Sequence, residues 1–382
     1  MRNSFTLVTL YVVAFVGFTG FSFMFPVIPL YAAELGANVA EVGLIAAMNS
    51  YVAAVLLIPF GLLSDKLGRH RLLGGGLTLF TVAPLLYPLA GNPIQLVLVR
   101  ILHGAAAAAF LPAAIALVID LTPSEKRGTA IGWYTASLQL GLMAGPITGG
   151  FLLKLFGFDV VFYACAAVSA VALILISVRV RAFVYEPVQQ AVGGSSWGWM
   201  KQALVFAGLM TPMFVAIGSG TIGTYIPFYG DFLGINEASA GAIITAMYAS
   251  SALLRIPAGR LADRVDRRLI IVLGLGLMAL AVGLMSPFHT LPQLILLALL
   301  FGIGMGIAMP ASLALAADFS PASTRGLTMA ISTCFFQVGF AVGTTAMGLV
   351  GQVSDFQMVF LASGLSIGLG FLLIFGLMRV KR

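Results

Sequence analysis

The apolar residues of this chain arrive in long runs, among them Phe5–Leu30, Leu72–Ala90 and Leu269–Met285. Each is close to the ~20 residues that carry an α-helix across a bilayer core. Backbone groups inside lipid must satisfy one another, so only helices and closed barrels span membranes. A barrel needs alternating apolar and polar positions, which these runs lack. Composition agrees: 9% of the residues are charged and 60% hydrophobic, against about 25% charged in a soluble domain. We therefore expect an all-α integral membrane protein. Its twelve spans are placed near residues 5–33, 39–63, 72–90, 93–119, 129–153, 159–178, 202–230, 238–261, 269–287, 291–316, 326–350 and 357–378. The first run is too long for the apolar region of a signal peptide, and eleven spans follow it, so it is read as a retained helix.

Twelve spans put both termini on one side of the membrane, and positive charge says which. Of the 20 basic residues, 17 fall in the termini and the even-numbered loops. The odd loops hold only Lys154, while Arg100 and Arg255 lie within spans. Both termini are therefore expected to be cytoplasmic, in a multi-pass protein of the plasma membrane. The basic residues are not clustered with stacking aromatics, so no nucleic-acid partner is expected. Cys165 and Cys334 lie in apolar runs and suggest neither a disulfide framework nor a zinc site.

Shifted by 198 residues, the chain matches itself without gaps. Between Gly20–Arg69 and Gly218–Arg267, 18 of 50 pairs are identical. They include Pro29/Pro227, Asn38/Asn236, Asp65/Asp263 and Arg69/Arg267, and the register continues through Asp120/Asp318, Gln139/Gln337 and Gly145/Gly343. Shared composition would align leucines and alanines, not Pro, Asp, Arg and Gln at one offset. The reading is two halves, residues 1–178 and 202–382, joined by a cytoplasmic linker at 179–201. Six helices per half is an even number, so the repeats are parallel, related by an axis along the membrane normal. Such a duplication suggests alternating access, with two halves rocking about a site between them.

The segment after span 2, Gly61-Leu62-Leu63-Ser64-Asp65-Lys66-Leu67-Gly68-Arg69-His70-Arg71, resembles the signature loop of the major facilitator superfamily. The second half repeats it at Gly259–Arg268, with Asp266 where a second glycine is usual. Gly20-x5-Pro26-Val27-Ile28-Pro29 resembles the span 1 pattern of twelve-helix drug:proton antiporters. Arg100-Ile101-Leu102-His103-Gly104 resembles their span 4 arginine motif, with His103 where glutamine is common. Gly141–Gly150 matches their motif G-x3-G-P-x2-G-G through Gly141, Gly145, Pro146, Gly149 and Gly150. The resemblance implies the major facilitator fold, a small-molecule substrate expelled as protons enter, and no cofactor beyond the proton gradient. A monomer in the lipid bilayer is expected.

Asp65, at the foot of span 2, can meet the exposed N–H groups of another helix start. The resemblance places that partner near Gly326-Leu327 in the opposite half. Arg69 could pair with Asp120, and the repeat supplies Asp263, Arg267 and Asp318 as a second gating set. The plainer alternative is charge that only sets topology. Arg100 is a lone charge about seven residues into span 4, where it either faces a cavity or snorkels outward. His103 lies three positions on, nearly on the same face, with an unperturbed pKa near 6.5 that suits a proton carrier. Arg255 has no counterpart in the first half, where Leu57 stands; it could meet an anionic group or reach water.

Acidic residues lie at the two membrane faces, and none at the middle. Glu34 and Asp231, at the outer ends of related spans, come nearest. A cation would find no deep counter-charge, which favours neutral, amphiphilic or anionic cargo. The expected cavity is apolar, with Asn49, Tyr51, Tyr134, Gln139, Tyr225, Tyr248 and Gln337 as polar handles. An enzyme is not expected, since the three histidines, His70, His103 and His289, are scattered. Proton-coupled efflux of hydrophobic small molecules is the main expectation. A lipid or glycolipid exporter and a metabolite transporter are the alternatives.

Overall fold

The computed structural model describes residues 2–123, 126–180, 202–262, 265–321 and 325–379. Asp263 and most of the expected linker, 181–201, lie outside them, as does the side chain of Asp231. Twelve long helices fill the described residues. In chain order they are α1 Arg2–Glu34, α2 Val39–Leu67, α3 Arg69–Leu86, α4 Pro93–Asp120, α5 Arg127–Phe156 and α6 Phe158–Val180, then α7 Ala203–Phe228, α8 Glu237–Ala262, α9 Arg267–Leu284, α10 Leu291–Asp318, α11 Arg325–Val353 and α12 Phe356–Arg379. A 3-10 turn at Tyr87–Leu89 and a single helical turn at Gly230–Leu233 fill two connections. Among the described residues, eleven of these helices are long and apolar enough to cross a membrane.

Helix ends follow local chemistry. Asn38 and Glu41 form a reciprocal capping box at the start of α2, with Glu41 N–H donating to Asn38 Oδ1 at 3.0 Å and Asn38 N–H to Glu41 Oε2 at 2.8 Å. The related Asn236 accepts from Ser239 N–H at 3.0 Å. Gly36 and Gly234, with φ of +85° and +62°, make the two equivalent turns before these caps.

The signature segment is mostly helix rather than loop. Nothing in Gly61–Leu67 breaks a helix, so α2 runs on until Gly68, whose φ of +94° ends it. Asp65 therefore stands on the last turn of α2. In the second half Asp266 replaces that glycine, and its side chain caps α9 by accepting from Arg268 N–H at 2.9 Å. The departure from the glycine pattern exchanges a left-handed turn for a side-chain cap.

Packing repeats along with the sequence. In the first half α1 packs on α5 and α6, α2 on α4, and α3 on α4 and α6. In the second half the same contacts recur between α7 and α11 and α12, α8 and α10, and α9 and α10 and α12. Gly76 sits on the backbone of Ala106 and Phe110, and Gly274, 198 residues on, sits on Gly304 and close to Ala308. The halves meet along two related seams, α2 against α11 and α5 against α8. Leu280, Leu365, Leu369 and Leu372 are exposed on the outer surface, the arrangement a lipid-facing belt requires.

Candidate functional site

Helix starts and ends divide the bundle into a terminal face, which carries both chain ends, and a far face. A cavity of roughly 250 Å³ lies between the halves. Phe18, Phe21 and Phe25 of α1, Asn49 and Ser50 of α2, Leu111 of α4, and Gln139 and Leu142 of α5 line it from the first half. Tyr248 and Arg255 of α8, Met305, Met309 and Leu313 of α10, and Ser332, Thr333, Phe336, Gln337 and Phe340 of α11 line it from the second. Its lining reaches to Leu313, Arg255 and Ser332, each within about two turns of the terminal face.

Toward the far face the cavity stops at a wall. The rings of Phe25 and Tyr248, one from each half, stack with centroids 5.9 Å apart and planes 22° apart. Phe25, Tyr248 and Phe340 also line a second, smaller compartment of about 20 Å³, shared with Arg100, Ala46, Ser219 and Thr224. Beside it and beyond it the two seams close. Tyr51 donates to Thr345 Oγ1 at 3.3 Å and Ala40 N–H to Gln352 Oε1 at 3.4 Å across α2–α11. Ile147 N–H donates to Thr245 Oγ1 at 3.1 Å across α5–α8.

The motif in α5 divides between two neighbours. Gly141, Gly145 and Gly149, four residues apart, bring the backbone of α1 into contact, and Ser22 donates to Gly141 O at 3.0 Å. Pro146 and Gly150 face α8, where they meet Gly241 and the backbone of Glu237. Small residues allow this approach.

At the terminal face Arg69 pairs with Asp65 and donates through Nε to Asp120 Oδ2 at 3.1 Å. Arg267 pairs with Asp318. All these pairs stay within one half. Among the described residues Asp65 pairs with Arg69 within its own half, and the residues just before α11 lie outside them.

Arg100 does not snorkel. It is 5% exposed and donates to Ile45 O at 3.2 Å, Ala46 O at 2.9 Å and Asn49 Oδ1 at 2.5 Å, tying α4 to α2. His103 does not share its compartment, contrary to expectation. Three residues of helix turn the ring about 60° away, into a cage of Phe21, Phe80 and Tyr87. Tyr87 hydroxyl lies 2.8 Å from His103 Nδ1, while Nε2 has no partner. Glu34 is exposed at the far end of α1 and lines neither cavity.

Of the expected polar handles, Asn49, Gln139, Tyr248 and Gln337 line the cavity. The other three do not. Tyr134 is buried in the first-half core, Tyr225 donates to Thr344 O at 2.7 Å near the α2–α11 seam, and Tyr51 belongs to that seam. The aromatic and methionine lining escaped sequence reading because 28 phenylalanines are spread through most of the apolar runs. Thr333 had a usable signal, lying four residues before Gln337 on one helix face, with Ser332 beside it.

A bundle of this kind holds its cargo between two halves, which is the architecture of a membrane transporter. Its family follows from sequence: residues 10–201 and 204–382 match the Major Facilitator Superfamily, and the chain belongs to it. A multidrug resistance efflux pump of Streptococcus pneumoniae, PmrA, is 28% identical over 91% of this chain and 89% of its own. The multidrug resistance protein MdtG of Klebsiella pneumoniae is 28% identical over 90% of this chain and 86% of its own. In fold, the chain matches a bacterial homologue of the human lysosomal transporter Spinster with a TM-score of 0.84 at 14% identity, covering 99% of this chain and 97% of that one. The superfamily and these relatives are transporters, not enzymes.

Proposed function

We propose that the chain is a secondary active transporter that exports hydrophobic or amphiphilic small molecules by alternating access, driven by proton entry. The observation that carries this is one-sided closure. Two related seams seal the far face, and a largely apolar cavity lined by both halves extends toward the terminal face. A pair of rigid halves closed at one end has a second arrangement available, closed at the other. The excess of basic residues in the termini and even loops supports a cytoplasmic terminal face in the plasma membrane. On that assignment this conformation faces the cytoplasm.

Efflux is supported by the relatives named as multidrug pumps. Proton coupling is supported by the glycine and proline pattern of α5, which keeps α1, α5 and α8 in close contact. The test is transport of a hydrophobic dye by the purified protein in proteoliposomes with an imposed pH gradient. Export against a concentration gradient that stops with an uncoupler supports the reading. Dye movement that ignores the uncoupler contradicts it.

A further inference from the structure

The cavity carries one charge, and it is positive. No Asp or Glu lines either compartment, while Arg255 lines the larger one. Arg255 lies seven residues from the end of α8, about 10 Å along the helix. Among the described residues no carboxylate or carbonyl accepts from it. A charge at that depth is costly, and an intramembrane arginine ordinarily faces a partner or a wet cavity.

The repeat sharpens the point. The related position in α2 is Leu57, so the six-helix architecture is built once without this charge. Its use belongs to what the cavity holds rather than to the fold. A second unmet donor lies in the same lining. Gln139 is 5% exposed, and its Nε2 has no hydrogen-bond partner. Its repeat mate Gln337 lines the cavity from the opposite half. Unmet donors from both halves therefore converge on a space otherwise walled by Phe18, Phe21, Met305 and Phe336.

We propose that Arg255, with the amides of Gln139 and Gln337, binds the oxyanion head of an amphipathic substrate whose apolar body lies against these rings. This rests on the transporter reading above and names its substrate class. The planar guanidinium fork matches a carboxylate or phosphate, and hydrogen bonds to an ionised partner are the strong ones. Arg100, behind the Phe25–Tyr248 wall, keeps the far end of the path positive as well.

The test is equilibrium binding to the purified full chain of three probes with one ring system: 2-naphthylacetate, its neutral amide and 2-naphthylethylamine. The carboxylate is expected to bind about ten-fold tighter than the amide, with the amine weakest. Arg255→Gln should reduce the carboxylate's advantage over the amide to about two-fold or less, and Arg255→Lys should restore part of it. An unchanged melting temperature shows that the variant is folded. A preference for the amine, or an undiminished carboxylate preference in Arg255→Gln, overturns the proposal. Displacement of naphthylacetate by a single-chain alkyl phosphate assigns the head group to a lipid source, and no displacement assigns it to a free acid. Dye transport that fails while the binding ratio holds counts against the exporter reading alone.

Discussion

Gly43 of α2 meets Gly348 of α11 backbone to backbone: a Cβ on Gly43 would stand 3.1 Å from the Gly348 Cα. The contact has a counterpart 198 residues away. A Cβ on Gly348 would fall 3.3 Å from the Cα of Ala40, and one on Gly150 would fall 3.2 Å from the Cα of Ala238. Gly43 and Gly241, Gly150 and Gly348, and Ala40 and Ala238 are all repeat mates. The far face is thus shut by one contact used twice, and the side chains that would prevent it are missing at all four glycines.

A bulky residue in one seam should therefore open the far face. Overpacking costs typically 1–3 kcal/mol, and Gly150→Leu applies that cost only to the arrangement closed there. With Ala40→Cys as reporter, labelling by a membrane-impermeant maleimide from the far side should rise about ten-fold. Unaltered labelling would show that the seam is not what holds the face shut.

Arg100 should matter for stability as well as transport. Its three hydrogen bonds to α2 are buried, and Arg100→Ala leaves Asn49 without its donor. A loss of about 2 kcal/mol is expected, since bonds to charged groups contribute about 1.5–3 kcal/mol, read as a lower melting temperature in detergent. Arg100→Lys should recover part of this, keeping charge but not the fork of donors. Wild-type melting and wild-type coupled transport in Arg100→Ala would reduce the residue to a bystander.

Phe25 and Tyr248 should act as a partition. The stacked pair contributes about 1 kcal/mol beyond its buried area, and both rings wall off the compartment that Arg100 lines. Phe25→Ala should expose Ala46→Cys to a thiol reagent added at the terminal face, several-fold faster than in the parent, while Tyr248→Phe should behave as wild type. Equal rates in the parent and Phe25→Ala would mean that Phe340 or the helices alone make the wall.

Asp65 in this conformation is 54% exposed and bound to Arg69. Exposed pairs contribute about 0–1 kcal/mol, so Asp65→Asn should leave this arrangement and expression intact. If the carboxylate meets α11 in the alternative arrangement, the variant shifts the population toward the one seen here. Reduced transport with increased terminal-face labelling of Thr333→Cys is the expected pair of results, measured with Cys334 replaced by Ser. Full transport would remove Asp65 from the gate.

The architecture was legible because lipid is an unforgiving solvent and because duplication left matched Pro, Asp, Arg and Gln residues at one offset. Asn38 and Asn236 marked equivalent turns, and Arg69–Asp120 and Arg267–Asp318 emerged as ion pairs from spacing and resemblance. The cavity was less legible. Gln139 and Gln337 could be named because polar side chains are rare in apolar runs, yet Tyr134 and Tyr225 were equally rare and point elsewhere. Periodicity gives a face within one helix but not which neighbour covers it. His103 shows the limit: one turn from Arg100 on one helix, it lies in a different space.

Reciprocal accessibility tests the central claim most directly. Ala40→Cys reports the far face and Thr333→Cys the terminal cavity, each in a Cys334→Ser background and labelled in membranes with and without an imposed pH gradient. Alternating access requires that any condition raising one rate lower the other. Two rates that rise together would describe a channel, and two that never change would describe a bundle that does not rock.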